Sequence, residues 1–262
     1  MMVITEKTEK TCNILGYKVF NGKLEDISFD QKLIINTINP HSYNTARKDK
    51  VFKSALSNSD ILLPDGIGIV LAGKLLQNIQ MERITGSDLF QSILERSKEK
   101  PCRCFFLGSS EETLSLIERR LSKEYPNITF EAYSPPFKDE FSPEDNSGMI
   151  DRINSFNPDF LFVGMTAPKQ EKWVYNNHDK INPSVICSIG AVFDFYAGTT
   201  QRAPKVYMKF GLEWFHRAMS SKRLFKRYLI ATPLFILNMM SELFSDKNHK
   251  GVINNTLHDE LT

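Results

Sequence analysis

The chain has 262 residues, of which 41% are hydrophobic and 24% are charged, and its 33 basic and 31 acidic side chains leave a formal net charge of +2. This composition is typical of a folded globular protein and excludes a collagen-like, low-complexity or wholly disordered chain. The near balance of charge gives no indication of a nucleic-acid partner. Four scattered cysteines do not form a disulfide framework, and we expect them to be core thiols.

No targeting or membrane-spanning segment is expected. The N-terminal residues contain acids and lysines but no apolar core of a signal peptide. No stretch without a charged residue exceeds 14 residues, and the one at 228–241 is interrupted by Pro233 and Asn238. A spanning helix needs about 20 mostly apolar residues, so this stretch is too short.

In chain order, the first predicted element is an N-terminal β-hairpin over residues 17–27. Asn21-Gly22 separates two short runs of alternating hydrophobicity there. An Asn-Gly pair favours a two-residue turn because both central residues need positive φ. We therefore expect the turn of the hairpin at Asn21 and Gly22.

Six short apolar runs follow, and each is almost continuously hydrophobic, as strands buried on both faces are. The runs are 33–37, 60–64, 103–107, 128–133, 159–163 and 185–189. Helix-start signals alternate with them, at Ser109-Ser110, at Ser142-Pro143 and at Thr166. The alternation predicts an α/β fold over roughly residues 14–200, with a Rossmann-like, mostly parallel sheet and helices on both of its faces.

The composition changes after residue 204. Seven basic residues and one acid lie between residues 203 and 229, a local charge of +6, with large aromatic residues among them. On a helix, four of the basic residues centre on one side and apolar residues on the other. These four are Lys222, Arg223, Lys226 and Arg227. Two interpretations stay open: a helix packed on the core with a solvated basic face, or a helix on an anionic membrane, with residues 234–237 extending its apolar side.

In an open parallel sheet, ligands bind beyond the carboxyl ends of the strands. The residues at or just after the predicted strands are therefore the candidates for a small-molecule site. They are Thr37, Asn39, Asp65, Gly66, Gly108, Ser109, Tyr133, Gly164 and Gly190. The glycines allow a ligand to approach the backbone, and N–H groups at helix starts suit a phosphate or diphosphate.

Four polar residues near these strand ends have specific candidate roles. Asp65 has two open roles: it caps the helix that begins near Gly66, or it is a general base that removes a proton from a substrate hydroxyl. Lys169 and Gln170, in the first turn of the helix after residue 164, are placed to hydrogen-bond a sugar or a diphosphate. Arg83 is a candidate phosphate partner, and a plain surface arginine is the alternative.

Several common catalytic motifs are absent from the sequence. There is no P-loop, no H-E-x-x-H and no G-x-S-x-G, and the pair Gly66-x-Gly68 lacks the third glycine of a dinucleotide-binding fingerprint. The five histidines show no ligand spacing, and no Asp-x-Asp is present to hold a metal ion on a sugar nucleotide. We therefore expect no cofactor and metal-independent chemistry.

Seven segments together resemble the WecG/TagA/CpsF family, glycosyltransferase family 26. They occur in the family's order over about residues 35–230. The segments are 35–42, 61–70, 82–89, 105–110, 163–173, 189–204 and 211–217. One departure is Val206, where the family pattern has an aromatic residue soon after Arg-Ala-Pro.

The resemblance implies a fold of the GT-E type and an inverting, metal-independent transferase. Such an enzyme moves an N-acetylmannosamine-type sugar from a UDP donor to a polyprenyl-diphosphate-linked amino sugar, in the synthesis of wall teichoic acid, enterobacterial common antigen or capsular polysaccharide. By position, the resemblance assigns Asp65 as the catalytic base and Thr37 as its neighbour in the cleft. It assigns donor or acceptor contacts to Asn39, Arg83 and Gln170. Contacts with the acceptor diphosphate and the membrane fall on the basic residues Arg217, Lys222, Arg223, Lys226 and Arg227.

We expect a glycosyltransferase domain over residues 1–203, a basic amphipathic helical appendage that associates with the membrane over 204–246, and a polar tail over 247–262. The expected partners are the UDP-sugar, the lipid-linked acceptor and an anionic membrane surface, and a homo-oligomer is left open. The expected location is the cytoplasm, at the inner face of the bacterial plasma membrane. Two other functions stay open: a non-catalytic membrane-bound protein that binds nucleotide sugars, and a Rossmann oxidoreductase.

Overall fold

The computed structural model describes residues 10–201, 204, 207 and 230–242. Its centre is a six-stranded sheet in the order β4-β3-β8-β7-β5-β6, and every neighbouring pair in it is parallel. The strands are β3 (Leu33–Ile38), β4 (Ile61–Pro64), β5 (Cys102–Gly108), β6 (Ile128–Tyr133), β7 (Phe160–Gly164) and β8 (Val185–Ser188). All six strands predicted from apolar runs are confirmed.

Helices connect the strands and cover both faces of the sheet. They are α1 (Pro40–Ala46), α2 (Lys50–Ser57), α3 (Ile67–Gln77), α4 (Gly86–Arg96), α5 (Glu111–Glu124), α6 (Pro143–Phe156), α7 (Lys169–Asn177) and α8 (Val192–Ala197). The helices α4, α5 and α8 pack on one face, where Phe90, Phe106 and Phe162 form a cluster of edge-to-face and tilted rings. The helices α6 and α7 pack on the other face. The predicted α/β fold is therefore confirmed.

Two helices begin where the sequence predicts, and a side chain caps the N-terminus of each. Ser110 caps α5 by accepting the N–H of Thr113, and Ser142 caps α6 by accepting the N–H of Asp145. The third predicted start is different, because α7 begins after Pro168 and has no side-chain cap. The contribution of Thr166 is its backbone carbonyl, which accepts the N–H of Lys169 at 2.9 Å.

The N-terminal hairpin exists, but its predicted turn was wrong. The strands are β1 (Thr11–Ile14) and β2 (Tyr17–Phe20), and the turn is Leu15-Gly16, with φ of 54° and 81°. The Asn21-Gly22 pair leads instead into a short 3₁₀ turn at Leu24–Asp26. Asp26 accepts the backbone N–H of Lys23 at 2.8 Å, which stabilises that turn.

The helical residues 230–242, here called the C-terminal helical segment, dock on α1 and α3. Ala231, Phe235 and Met239 recur every four residues and are buried, so they form one stripe of the helix. The Phe235 ring meets Tyr43 edge-to-face at 5.5 Å. In the membrane interpretation residues 234–237 extend the apolar side of the appendage, but the Phe235 ring is instead buried in the core.

Polar contacts with α1 accompany this docking. The Asn44 amide donates to the backbone carbonyl of Ala231 at 2.7 Å, and Asn238 donates to Oδ1 of Asn44 at 3.1 Å. The Arg47 guanidinium also donates to Oδ1 of Asn238. These bonds fix the C-terminal helical segment beside the carboxyl end of β3, from which α1 starts.

Candidate active site

The carboxyl edge of the sheet brings the sequence-predicted candidates together. Because the strands are parallel, their last residues lie along one edge in the order of the sheet. From β4 to β6 these residues are Asp65 and Gly66, Thr37 and Asn39, Gly190, Gly164, Gly108 and Ser109, and Tyr133. One cleft edge therefore collects side chains and glycines that are up to 153 residues apart in the sequence, from Thr37 to Gly190.

Asp65 lies at the corner formed by β3 and β4. The pairing of Ile38 with Pro64 puts Asn39 level with Asp65, and the Asp65 N–H donates to the carbonyl of Ile38 at 2.9 Å. The N-cap residue of α3 is Gly66, with φ of 108° and no side-chain cap hydrogen bond. Asp65 is therefore not the N-cap residue of α3.

Asn39 has a structural task in this corner. Its Oδ1 accepts the N–H groups of His41 and Ser42, each at 3.0 Å, and so caps α1. A Cβ on Gly66 would lie 3.7 Å from the Cβ of Asn39, so the two loops are in van der Waals contact. Whatever ligand contact Asn39 makes has to be compatible with this cap.

Arg83 lies near the same corner, in the loop between α3 and α4. The next residue, Ile84, donates its N–H to the carbonyl of Pro64 at 3.1 Å, directly before Asp65. Thr85 then caps α4 in a reciprocal arrangement with Asp88. The loop before α4 therefore places a guanidinium-bearing residue beside the end of β4, and Arg83 is half-buried there.

The centre of the edge is made of backbone in close contact. A Cβ on Gly108 would lie 2.5 Å from the carbonyl oxygen of Gly164, and a Cβ on Gly164 would lie 2.3 Å from the Phe193 ring. Gly108 also has φ of 124°, which favours glycine. These two glycines therefore serve close packing between β5, β7 and α8.

Gln170 is buried and holds two loops of the edge together. Its Oε1 accepts the N–H of Met165 at 3.2 Å and the N–H of Gly190 at 3.1 Å. Its Nε2 donates to Oε1 of Glu171 at 2.8 Å. The geometry gives Gln170 a structural role between the ends of β7 and β8.

Lys169, on the outer side of the same helical turn, contacts the loop that follows β6. Its ammonium donates to the carbonyl of Lys138 and lies 3.7 Å from the centre of the Phe141 ring. Burial lowers the pKa of Lys169 from its ordinary value. At the end of β6, the Tyr133 ring stacks under the guanidinium of Arg152 at 4.5 Å.

Asp194 also lies at this edge of the sheet, although it was not among the candidates predicted from the sequence. This carboxylate lies in the first turn of α8 and accepts a hydrogen bond from the hydroxyl of Ser109 at 3.3 Å. Ser109 has φ of 57°, and its carbonyl accepts the hydroxyl of Ser134 at 2.7 Å. The signal available in the sequence was an acid four residues after Gly190 at a strand end, the same kind of signal that drew attention to Asp65.

The five basic candidates of the appendage, Arg217, Lys222, Arg223, Lys226 and Arg227, lie outside the described residues. Within the described ranges, no three His, Cys, Asp or Glu side chains converge to form a candidate metal site. None of the helices in these ranges is long and apolar enough to cross a membrane.

An α/β sheet with a carboxylate, an arginine and several helix starts at its carboxyl edge has the arrangement of a ligand-binding cleft. The chain belongs to the WecG/TagA/CpsF family of glycosyl transferases, whose sequence pattern matches residues 13–249. The protein is therefore a glycosyltransferase.

Three relatives show how close this relationship is, and all carry the name N-acetylglucosaminyldiphosphoundecaprenol N-acetyl-beta-D-mannosaminyltransferase. The chain is 33% identical over 233 residues to the one from Bacillus subtilis (strain 168) and 30% identical to the one from Bacillus spizizenii, with 88% of each chain covered. It is 30% identical over 204 residues to the one from Staphylococcus aureus (strain MW2), with 78% of each chain covered.

Proposed function

We propose that the protein transfers an N-acetylmannosamine-type sugar from a UDP donor to a polyprenyl-diphosphate-linked N-acetylglucosamine, with inversion and without a metal ion, in the synthesis of a bacterial cell-surface polymer. The names of the relatives state this sugar and this acceptor. The observation that carries the proposal is the position of Asp65 at the β3–β4 corner, level with Asn39 and next to the loop of Arg83.

The proposed reaction is a single displacement. A hydroxyl oxygen of the acceptor attacks the anomeric carbon of the donor, and the bond from that carbon to the UDP oxygen breaks on the opposite face. Asp65 takes the hydroxyl proton, and UDP leaves with the electron pair. Thr37, two residues before Asn39 on β3, is proposed to orient the attacking hydroxyl.

The diphosphate of the donor needs positive groups that are already in place when charge develops on the leaving oxygen. We assign this task to Arg83, whose loop is hydrogen-bonded to the end of β4 next to Asp65. Gly66 and Gly190 carry no side chain that would occupy space in the cleft. The assignment agrees with the half-buried position of Arg83 beside the end of β4.

The membrane part of the proposal is supported by an apolar patch on two neighbouring helices. Six of the eight exposed large hydrophobic side chains in the described part of the chain lie on α3 and the C-terminal helical segment. They are Leu71, Leu75, Ile230, Ile236, Leu237 and Met240. Because Gly68 of α3 contacts Phe235 and shares a helix face with Leu71 and Leu75, the patch continues from one helix to the other. A membrane that presents the acceptor would cover this patch.

The experiment that tests the catalytic assignment is Asp65→Asn. General-base catalysis contributes about 10²–10⁴ in rate, so kcat should fall by that factor while the thermal midpoint and UDP-sugar binding stay near those of the unchanged protein. Product is measured by mass on a short polyprenyl-diphosphate-linked N-acetylglucosamine. Asp179→Asn is the matched control, because this carboxylate is 88% exposed, at the opposite edge of the sheet. Undiminished turnover by Asp65→Asn would remove Asp65 from the mechanism.

Vesicle binding tests the membrane assignment in the full-length protein. Each basic residue near an anionic surface contributes about 1 kcal/mol, so the double change Arg223→Gln and Arg227→Gln should weaken binding to anionic vesicles about thirtyfold at low salt. The control is the double change Lys100→Gln and Lys123→Gln, which removes two exposed charges from other surfaces. Equal binding by the two double variants would contradict the assignment.

A further inference from the structure

A buried polar cluster lies on the α7 face of the sheet, behind the catalytic edge. Its centre is Glu171, which is 2% exposed, and it includes Asn36 and Ser188, each 1% exposed. Asn36 and Ser188 lie side by side on one face, because each follows a residue of the β3–β8 pair Ile35 and Cys187. Among the described residues, Glu171 Oε2, Asn36 Oδ1 and Ser188 Oγ have no hydrogen-bond partner.

The surrounding bonds determine which atom of each group is a donor. Gln170 Oε1 accepts two backbone N–H groups, so its Nε2 faces Glu171 and occupies Oε1 of that carboxyl. The Asn36 amide donates to the hydroxyl of Ser59, which itself donates to the carbonyl of Ala55 at 3.1 Å. Oδ1 of Asn36 is therefore a buried acceptor without a donor, and Glu171, which lines the same cleft, carries a donor hydrogen only as a carboxylic acid.

The charged groups around Glu171 have other partners. Glu171 and Asn36 line the inner end of a cleft of about 610 Å³ between α2 and α7. The ionisable groups that share this cleft are Lys32, Asp60, Tyr175, His178 and Asp179. Lys32 donates to two backbone carbonyls, Asp60 accepts the N–H of Ile34, and His178 pairs with Asp179. The next residue on α7, Lys172, pairs with Asp49 of α2 at 2.9 Å.

No cation in this set compensates a charge on Glu171. Burial raises the pKa of Glu171 to about 7, against a weaker opposing effect of the hydrogen bond from Gln170. Geometry and electrostatics therefore favour the same state of the side chain, the neutral acid. This buried acid is one residue from the amide that joins the ends of β7 and β8.

We propose that Glu171 is a positioning residue: as a neutral acid it orients the Gln170 amide, and Gln170 holds the N–H groups of Met165 and Gly190 in the arrangement that the transfer reaction requires. The effect on turnover rests on the function proposed above. The effect on the two loops does not, because the bonds from Gln170 exist without any substrate.

Hydrogen exchange of the Met165 and Gly190 amides, followed by NMR in the full-length protein, tests the loop effect. Replacing the acid by a side chain that cannot accept from Gln170, Glu171→Leu, should speed exchange of both amides at least about tenfold. Glu171→Gln keeps one acceptor and one donor, so exchange should stay within about threefold of the unchanged protein. Glu112→Leu and Glu112→Gln, in the exposed first turn of α5, are the matched controls.

The pH dependence of the unchanged protein gives a test that does not require Glu171→Leu to fold. Protection of the Met165 and Gly190 amides, corrected for intrinsic exchange, should fall between about pH 4.5 and 7, because the opened chain ionises Glu171 at lower pH than the folded one. The kcat of the folded protein should fall as Glu171 ionises around pH 7. Glu171→Gln should lack both declines, whereas His178→Gln, in the same cleft, should keep them. The proposal is overturned if Glu171→Gln declines like the unchanged protein, or if Glu171→Leu folds with unchanged exchange. Absence of turnover by the unchanged protein would overturn the proposed function and leave the exchange test valid.

Discussion

Phe235 is the main anchor of the C-terminal helical segment, and Phe235→Ala should release that segment. The ring is 3% exposed, meets Tyr43 at 5.5 Å, and has its Cε1 atom 3.3 Å from the place of a Cβ on Gly68. Truncating a buried phenylalanine to alanine costs about 3–5 kcal/mol. The two hydrogen bonds that Asn44 makes with the segment contribute about 1 kcal/mol each, which is less than the change removes.

The expected result is local, because Phe235 belongs to the cluster around α1 and α3 and not to the clusters around the centre of the sheet. A loss of about 3–5 kcal/mol raises the undocked population by roughly two to three and a half orders of magnitude. Amide exchange over residues 230–242 should rise accordingly, while the amides of β3, β5, β7 and β8 keep their protection.

The matched control is Leu237→Ala on the same helix, where the side chain is 64% exposed and its removal leaves no cavity. Its effect on exchange should be within about half a kcal/mol of zero. If Phe235→Ala and Leu237→Ala gave equal protection of residues 230–242, docking through the Phe235 stripe would be refuted. Product formation measured on both variants then shows how far the docked segment contributes to turnover.

Two further predictions concern stability. At acid pH Glu171 is protonated in both the folded and the unfolded state, and rising pH ionises it in the unfolded chain first. Between about pH 4.5 and 7, Glu171→Gln should therefore gain about 3 kcal/mol of unfolding free energy relative to the unchanged protein, measured by urea titration at each pH. A difference between the two proteins that does not change with pH would contradict the raised pKa. Gly164→Ala should lose about 1–3 kcal/mol of unfolding free energy, because its Cβ overlaps the Phe193 ring. Gly148→Ala in α6, with open space around it, should be neutral or stabilising by up to about 1 kcal/mol. Equal unfolding midpoints for these two variants would refute the overlap.

The strands and the helix starts could be predicted because the residues that specify them are neighbours in the sequence. Each buried parallel strand is a short apolar run, and Ser110 and Ser142 carry their capping signals in the adjacent residues. The position of the hairpin turn was predicted wrongly because two possible turns lie within eight residues. The choice between Leu15-Gly16 and Asn21-Gly22 depends on the Asp26 carboxylate and on packing with α1 and α3.

The candidate site was predictable as a set of positions and not as a set of contacts. The strand ends give Asp65, Gly66 and Thr37 directly, because parallel strands align their carboxyl ends. The burial of Gln170 and its bonds to Met165 and Gly190 depend on a connection over 20 residues that no local pattern contains. Glu171 was passed over because an acid in the first turn of a helix is usually solvated, and only the packing of α7 on the sheet buries it.

The tight stacking of Gly108, Gly164 and Phe193 restricts how this protein can change over evolution. A methyl group at Gly164 has space only if a smaller side chain replaces Phe193. A methyl group at Gly108 would overlap the backbone of Gly164, which no substitution can make smaller. Substitutions at Gly164 and Phe193 should consequently arise in pairs among homologous chains, whereas Gly108 should stay as it is. An alignment of the family would display this as covariation between one strand end and one helix, beside a third column that does not vary.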